Sequence, residues 1–366
     1  MKNRINVVIG LLISAVFVYF AVRRVDPGEV VRSFKKINYL WLLPNMILII
    51  STMLMRAVRW KYLLMPVRSF QTKTLFPPVM IGFMANNVLP VRLGEIIRAY
   101  SLGIKTGESR SSIFATVVIE RIFDSLALMI MFWLVFLSVT VPPDVRKFGI
   151  ISLILNAAVV LTLLLLRGRA SLLIRIFSIF FAFMPLIVKE KAAKIIRKFV
   201  DGLAVFGEYG ALGRIALWSL GLWVITALSN YFVFMAFGLY PNPVASFILL
   251  LFVAAAVMLP SAPGFIGVFQ VGVIGAFAFM NNMNIIGFEL SIENIETFTM
   301  MAPAFAHAPA PAIGTLCESL GLAGISKAQS LSFSIVLWLC QYVPVTALGL
   351  YYLKREHLSL RSFGEG

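Results

Sequence analysis

The chain is a succession of apolar segments, most of them long enough to cross a lipid bilayer. A spanning helix needs about 20 predominantly apolar residues. Because 60% of the 366 residues are hydrophobic and only 13% are charged, little sequence remains for a soluble domain. The pattern predicts an all-α polytopic membrane protein in which residues 1–366 form a single transmembrane domain. The best spanning candidates are 5–22, 38–55, 111–140, 148–166, 212–238 and 326–353.

Two further apolar regions are interrupted by matching breaks. Each break has a Leu-Pro pair with a glycine four residues after the proline: Pro90 and Gly94 in the first, Pro260 and Gly264 in the second. Interrupted helices at matching places in two halves are typical of transporter sites. We therefore predict two helical hairpins, broken or re-entrant. Their pieces are 75–89 and 93–104 around the first break, and 246–259 and 264–280 around the second.

Basic residues predict how the chain is oriented. Cytoplasmic loops of membrane proteins carry an excess of lysine and arginine; residues 56–74, 167–198 and the C-terminal tail are rich in both, whereas the equally basic loop 23–37 disagrees with them. We therefore predict cytoplasmic N and C termini. The amphipathic connector 167–211 is predicted to lie on the anionic cytoplasmic surface, with a merely solvated connector as the alternative. The net charge of +16 accordingly indicates anionic lipid rather than nucleic acid.

The similarity between the halves continues beyond the breaks. Ser109 precedes Glu120 by eleven residues, and Ser326 precedes Leu337 by the same distance. With the orientation above, the helix after Ser109 runs outward and the helix after Ser326 runs inward. This predicts an inverted repeat, with repeat one at about 75–140, repeat two at about 246–353, and the two breaks meeting near the midplane.

Polar and charged side chains concentrate in the first repeat. An unpaired charge at the bilayer centre costs at least about 2.5–3.5 kcal/mol, so several charges together must pair or face water. Ion pairs that pin the first hairpin to the next helix are one interpretation, and an anion site is the other. The residues are Asn86, Asn87, Arg92, Glu95, Arg98, Glu120, Arg121 and Asp124.

The anion interpretation rests on the arginines, because a guanidinium makes bidentate hydrogen bonds to phosphate. We expect Arg92, Arg98 and Arg121 to coordinate a lipid phosphate. Three carboxylates would orient them and carry a coupling proton, and two amides would satisfy the backbone at the first break. The carboxylates are Glu95, Glu120 and Asp124, and the amides are Asn86 and Asn87. The expected hinge or gating residues are Pro90, Gly94, Pro260, Pro263, Gly264 and Gly267.

Motifs of energy coupling, metal binding and hydrolysis are absent from the sequence. There is no G-x-x-x-x-G-K-[ST], no H-E-x-x-H and no dense metal-ligand cluster. His307 lies in a proline-rich segment and His357 in the charged tail, and these are the two histidines. The sequence therefore predicts no cofactor, no metal and no catalytic residue.

Three stretches resemble the lysylphosphatidylglycerol synthase transmembrane (flippase-like) family. They are Asn-Asn-Val-Leu-Pro-Val-Arg-Leu-Gly-Glu-Ile-Ile-Arg-Ala-Tyr at 86–100, Glu-Arg-Ile-Phe-Asp at 120–124, and Pro-Ser-Ala-Pro-Gly-Phe-Ile-Gly at 260–267. The resemblance implies a protein of the bacterial or archaeal cytoplasmic (inner) membrane that moves lipids between leaflets. The aminoacyl-transferase domain of the multidomain relatives is not found in this sequence, and 281–323 is longer than the family's usual connection.

The expected function is therefore that of a lipid translocase acting on an anionic phospholipid or a polyprenyl-phosphate-linked lipid. Two alternatives stay open: a membrane enzyme for glycosyl or acyl transfer to a lipid-linked substrate, and a non-transporting partner of a lipid-modifying enzyme. The enzyme would need carboxylates that are open to an aqueous face. The expected partners are membrane lipids, with no nucleic acid, and a homo-oligomer is possible.

Overall fold

The computed structural model describes residues 14–19, 21–22, 25–89, 93–138, 143–166, 209–259, 261–280 and 326–358, with a few isolated residues between 174 and 196. Within these ranges every regular element is helical, which confirms the all-α class. The predicted connector 167–211 and the segment 281–323 lie almost wholly outside the described residues.

The helices follow the apolar segments of the sequence closely. Four of the described helical stretches are long and apolar enough to cross a membrane: Tyr39–Leu64, Gly210–Ala236, Pro263–Met280 and Ala328–Arg355. In chain order the α-helices are α1 Pro27–Lys35, α2 Leu42–Leu64, α3 Thr72–Val88, α4 Gly94–Thr106, α5 Arg110–Ser138, α6 Pro143–Leu166, α7 Tyr209–Ala236, α8 Val244–Val257, α9 Val268–Met280 and α10 Lys327–Arg355. Residues 14–19 and 21–22 are also helical.

Local sequence explains where these helices begin and end. Helix α3 ends at Val88 because Leu89, which precedes a proline, is extended with ψ 147°. Helix α4 ends at Gly107, whose φ of 73° lies in the left-handed region. Helix α10 begins with a capping box, in which Ser326 and Gln329 each accept a hydrogen bond from the other's backbone N–H.

Both predicted breaks interrupt helices, and the pieces on either side pack against each other. Helix α3 packs on α4, and α8 packs on α9. The second break contains the 3-10 turn Pro263–Phe265, which contacts α3. A side chain at Gly264 would stand 3.5 Å from the carbonyl oxygen of Asn87. The two breaks are therefore neighbours in the folded protein.

The contacts between helices have the same pattern in both halves. Helices α2, α3, α4 and α5 of the first half correspond in order to α7, α8, α9 and α10 of the second. Helix α3 packs on α10, and its counterpart α8 packs on α5; likewise α4 packs on α5, and α9 packs on α10. The pairs α2–α3 and α7–α8 correspond in the same way, while α2 and α7 pack on each other. The correspondence thus extends to α2 and α7, which lie before the predicted repeats 75–140 and 246–353. The opposite orientation of the two halves stays a prediction.

Each half has its own apolar core. In the first half, Trp60, Leu63 and Leu75 are fully buried between α2, α3, α4 and α5. In the second half, Phe234 packs edge-on against Phe277, with ring centroids 5.6 Å apart. The polar side chains described next lie between these helices.

Candidate functional site

A cluster of four arginines and two carboxylates lies where α2, α4, α5 and α7 meet. Arg56 and Arg59 come from α2, Arg98 from α4, and Glu120, Arg121 and Asp124 from α5. We call these six residues the arginine site. Glu120 lies ten residues into α5, about 15 Å along the helix axis at the usual rise of about 1.5 Å per residue. The site therefore lies well inside α5 rather than at its end, and Arg56 and Arg59 belong to Tyr39–Leu64, one of the four candidate membrane spans.

Glu120 is the centre of the arginine site. Its Oε1 accepts hydrogen bonds from Arg98 at 2.9 Å and from Arg121 at 2.7 Å, and it lies 3.0 Å from Nη2 of Arg59. The side chains of Glu120 and Arg59 are fully buried. One carboxylate oxygen thus joins α2, α4 and α5.

Asp124, one helical turn later, holds the other side of the cluster. Its Oδ1 accepts from Arg59 at 2.6 Å and from the indole N–H of Trp223 at 3.3 Å. Its Oδ2 lies 3.2 Å from Arg121 and 3.5 Å from Arg56. The same nitrogen of Arg59 also donates to the hydroxyl of Ser219 at 2.9 Å, which connects α7 to the site.

Aromatic rings line the cluster and hold the guanidinium groups in place. The guanidinium carbon of Arg98 lies 3.8 Å from the ring centroid of Trp60, and that of Arg56 lies 4.8 Å from the ring centroid of Phe83. The indole N–H of Trp60 donates to Thr116 at 2.9 Å. Stacking of this kind orients a guanidinium while leaving its N–H edge available for hydrogen bonds.

The arginine site carries more positive than negative charge, and several of its N–H groups have no acceptor among the residues that the structure describes. Four guanidiniums face two carboxylates. The buried Nε atoms of all four arginines and Nη2 of Arg98 make no hydrogen bond, and neither does Oε2 of Glu120. An unsatisfied buried polar group costs about 1–3 kcal/mol, and more if it is charged. The described residues of the site therefore leave hydrogen-bond donors for a further acceptor.

The amides of the first break serve the hairpin rather than the arginine site. Asn86 accepts from the backbone N–H of Gly94 at 2.8 Å and donates to Glu95 at 3.3 Å. Asn87 donates to Thr346 of α10 at 2.9 Å. Glu95 is half-buried and close enough to act electrostatically on Arg121, so it offsets part of the positive excess.

Gly94 lies where α3 and α4 come closest. A Cβ there would overlap the carbonyl oxygen of Gly82 and the side chain of Asn86. In the second break, Gly264 and Gly267 have φ of 75° and 90°, a conformation that suits glycine. Trp338 donates to the carbonyl of Gly264 at 2.7 Å. Whether these glycines and Pro263 act as hinges stays a prediction.

The described residues around the second break are joined by neutral hydrogen bonds. The N–H of Gly267 donates to Gln270 at 2.7 Å, and Gln341 donates to Asn230 at 2.9 Å. The backbone N–H of Ala262 donates to the hydroxyl of Ser14 at 2.7 Å. The second break is thus tied to the fold by fewer charges than the first.

Of the predicted site residues, the structure brings Arg98, Glu120, Arg121 and Asp124 together. Pro90, Arg92 and Pro260 lie outside the described residues. Asn86, Asn87 and Glu95 lie at the first break, beside the cluster.

Arg56 and Arg59 were not predicted as site residues, because the second spanning segment was predicted to end at 55 and both residues to lie in a cytoplasmic loop. That placement is wrong: α2 continues to Leu64, and both side chains are buried. Hydropathy cannot show that the charges of Arg56 and Arg59 are compensated by carboxylates 61 to 68 positions later in the sequence. Arg56 and Arg59 therefore no longer support the predicted orientation of the chain in the membrane. Their i,i+3 spacing, which matches that of Arg121 and Asp124, was the available signal.

The family model of the lysylphosphatidylglycerol synthase TM region matches residues 7–285. The chain belongs to this family. The match includes all six residues of the arginine site and both breaks.

The curated relatives of this chain include UPF0104 membrane proteins and a glycosyltransferase. A UPF0104 membrane protein of Methanothermobacter thermautotrophicus is 23% identical over 277 residues, 73% of this chain and 80% of the relative. Another, from Pyrococcus horikoshii, is 24% identical over 289 residues, 74% of this chain and 85% of the relative. Glycosyltransferase AglD of Haloferax volcanii is 24% identical over 302 residues, 74% of this chain and 48% of that protein. The chain thus spans about half the length of that relative. No solved structure matches the chain.

Proposed function

We propose that the protein binds the phosphate of an anionic lipid in the arginine site and moves that lipid between the leaflets of the membrane. The observation that carries the proposal is the group of buried arginine N–H donors without acceptors, beside an excess of guanidinium over carboxylate. A phosphate supplies acceptor oxygens and negative charge together, and it suits the planar guanidinium donors. The lipid is an anionic phospholipid or a polyprenyl-phosphate-linked lipid.

Packing alone accounts less well for the arginine site. A structural cluster of ion pairs needs matched charges and satisfied hydrogen bonds, because taking an ion out of water costs several kcal/mol. Here Arg56 has one carboxylate contact, at 3.5 Å, although its side chain is only 8% exposed. A bound phosphate would compensate the charges of Arg56 and Arg98, whereas Glu120 already has three guanidiniums around Oε1.

The two adjoining breaks support the translocation part of the proposal. Discontinuous helices that meet inside a membrane protein allow one repeat to rock against the other around a central site. Asn87, at the end of α3, contacts the second break and also bonds to α10. A movement of either hairpin would therefore be transmitted to the other. We place the protein in the cytoplasmic membrane of a bacterium or archaeon, with both termini in the cytoplasm.

Glycosyl transfer is the second candidate function, and the name of the Haloferax volcanii relative favours it. A transferase needs a carboxylate that is free to act as base or nucleophile. Glu120 and Asp124 are both buried and paired with arginines, so lipid binding is the better supported of the two. Incubation of the purified protein with a nucleotide sugar and a polyprenyl phosphate, followed by mass spectrometry of the lipid, tests the transferase directly.

The translocase is tested in vesicles that contain the purified protein and a fluorescent phosphatidylglycerol, whose outer-leaflet fraction is bleached with dithionite. We expect Arg98→Ala and Arg121→Ala to abolish the exchange of lipid between leaflets. Arg98→Lys should restore little of it, because lysine lacks the planar fork. Arg68→Ala is the matched control, since the Arg68 side chain is 59% exposed and pairs with Glu108 outside the site.

Native mass spectrometry of the same variants separates binding from movement. The wild-type protein and Arg68→Ala should retain a phosphate-bearing lipid, and Arg98→Ala should not. Normal transport by a folded Arg98→Ala protein, checked by gel filtration and thermal unfolding, would refute the phosphate site.

A further inference from the structure

Arg121 differs from the other arginines of the site in its exposure. Its side chain is 41% exposed, whereas those of Arg56, Arg59 and Arg98 are 8%, 0% and 3% exposed. It lies within one turn of the midpoint of α5, which spans Arg110–Ser138. A guanidinium that faces lipid tails is strongly unfavourable. The exposed side of Arg121 must therefore meet water or a polar group at membrane depth.

Polar side chains continue from Arg121 along the same side of α5. Ser125, one turn later, is exposed, and its hydroxyl donates to Oδ1 of Asn156 in α6 at 2.6 Å. Asn156 is half-buried and lies near the midpoint of α6, Pro143–Leu166. The facing sides of α5 and α6, which we call the crevice, therefore carry polar side chains near the midpoints of both helices.

The outer surface of α6 is different. Ile151, Ile154 and Leu155 are each 63% exposed, and Leu161 is 57% exposed. These side chains suit contact with lipid tails. Near its midpoint, α6 thus exposes apolar side chains, while Asn156 bonds to α5.

A hydrogen bond that only joins two helices explains part of this arrangement. Serine and asparagine often form hydrogen bonds between helices in membranes and thereby stabilise the helix pair. It does not explain why the side chain of Arg121, one turn away, is partly exposed. Arg121 also reaches inward, to Glu120 at 2.7 Å and Asp124 at 3.2 Å, so it belongs to the crevice and to the arginine site at once.

We propose that the phosphate head group of the lipid enters and leaves the arginine site sideways, through the crevice lined by Arg121, Ser125 and Asn156. Arg121 receives the phosphate at the crevice and passes it to Arg98 and Arg56. The lipid tails stay among the apolar side chains of the outer surface. This route rests on the proposed function, because it assigns the path by which a lipid reaches that site.

The route is tested by the reactivity of single cysteines in the full-length protein. In a variant with Cys317→Ser and Cys340→Ala, Ser125→Cys and Asn156→Cys are compared with the matched controls Ile154→Cys and Leu155→Cys, which lie at the same depth. The protein is placed in phosphatidylcholine vesicles and treated with a charged methanethiosulfonate reagent. We expect the two crevice cysteines to react at least about tenfold faster, since apolar surroundings suppress the thiolate.

A second comparison asks whether lipid occupies the crevice. Replacing part of the phosphatidylcholine with phosphatidylglycerol should slow the labelling of Ser125→Cys, and the added Arg98→Ala change should remove that protection. Equal reactivity at crevice and control positions would overturn the route, even if Arg98→Ala abolishes transport and so upholds the proposed function. Fast labelling that phosphatidylglycerol does not slow would also overturn it, since the crevice would then hold water only.

Discussion

Replacing Glu120 by glutamine tests whether this carboxylate holds the arginine site together. The change keeps the shape of the side chain but removes the negative charge from the point where Arg59, Arg98 and Arg121 converge at 2.7–3.0 Å. Four guanidiniums would then face Asp124 alone. Removing one partner of a buried ion pair costs about 3–5 kcal/mol. Because the Glu120 side chain is fully buried, we expect Glu120→Gln to lower the free energy of unfolding by about 3–5 kcal/mol. This is a large part of a typical protein's stability.

The measurement is unfolding of the purified protein in detergent, followed as a function of temperature or denaturant. The matched control is Glu108→Gln, which removes a carboxylate whose contact to an exposed Arg68 is 3.4 Å and should cost less than about 1 kcal/mol. The double variant Glu120→Gln, Arg98→Gln should lose clearly less stability than the sum of the two single changes, because each removes the other's partner. Additive effects, or a loss below about 1 kcal/mol for Glu120→Gln, would show that the carboxylate does not organise the arginines.

Three further changes probe the hairpins. Gly94→Ala should destabilise the protein by about 1–3 kcal/mol through overpacking, since the added Cβ would overlap the carbonyl of Gly82. Gly213→Ala is the control, because a Cβ there meets open space, and it should be neutral or stabilising. Equal melting temperatures of the two variants would contradict this prediction. Trp338→Phe removes the 2.7 Å hydrogen bond to the second break and should raise amide hydrogen exchange at residues 261–267; unchanged exchange would mean that the bond does not hold the break. Lys105→Ala removes the ion pair between Lys105 and Glu356, whose side chains are 33% and 21% exposed, respectively. It should lower the free energy of unfolding by less than about 1 kcal/mol, and a thermal unfolding curve measures this change.

The helices could be predicted from the sequence because apolar runs and Leu-Pro breaks are local signals. The predicted segment 212–238 appears as Tyr209–Ala236, and 326–353 appears as Lys327–Arg355. The exception was α2, whose last turns contain Arg56 and Arg59. Arginine is unfavourable in lipid only when nothing compensates its charge, and the compensating Glu120 and Asp124 belong to a distant part of the chain.

By itself, the sequence determined that the protein is a bundle of membrane helices with two broken hairpins, because hydrophobic length and proline placement act within a few residues. It also indicated Arg98, Glu120, Arg121 and Asp124 as a charged group. Only the tertiary structure decided which charges meet: it added Arg56 and Arg59 from α2 and turned Asn87 toward α10. The physical reason is that the energy of a buried charge depends on its neighbours in space, and those neighbours come from helices far apart in the chain.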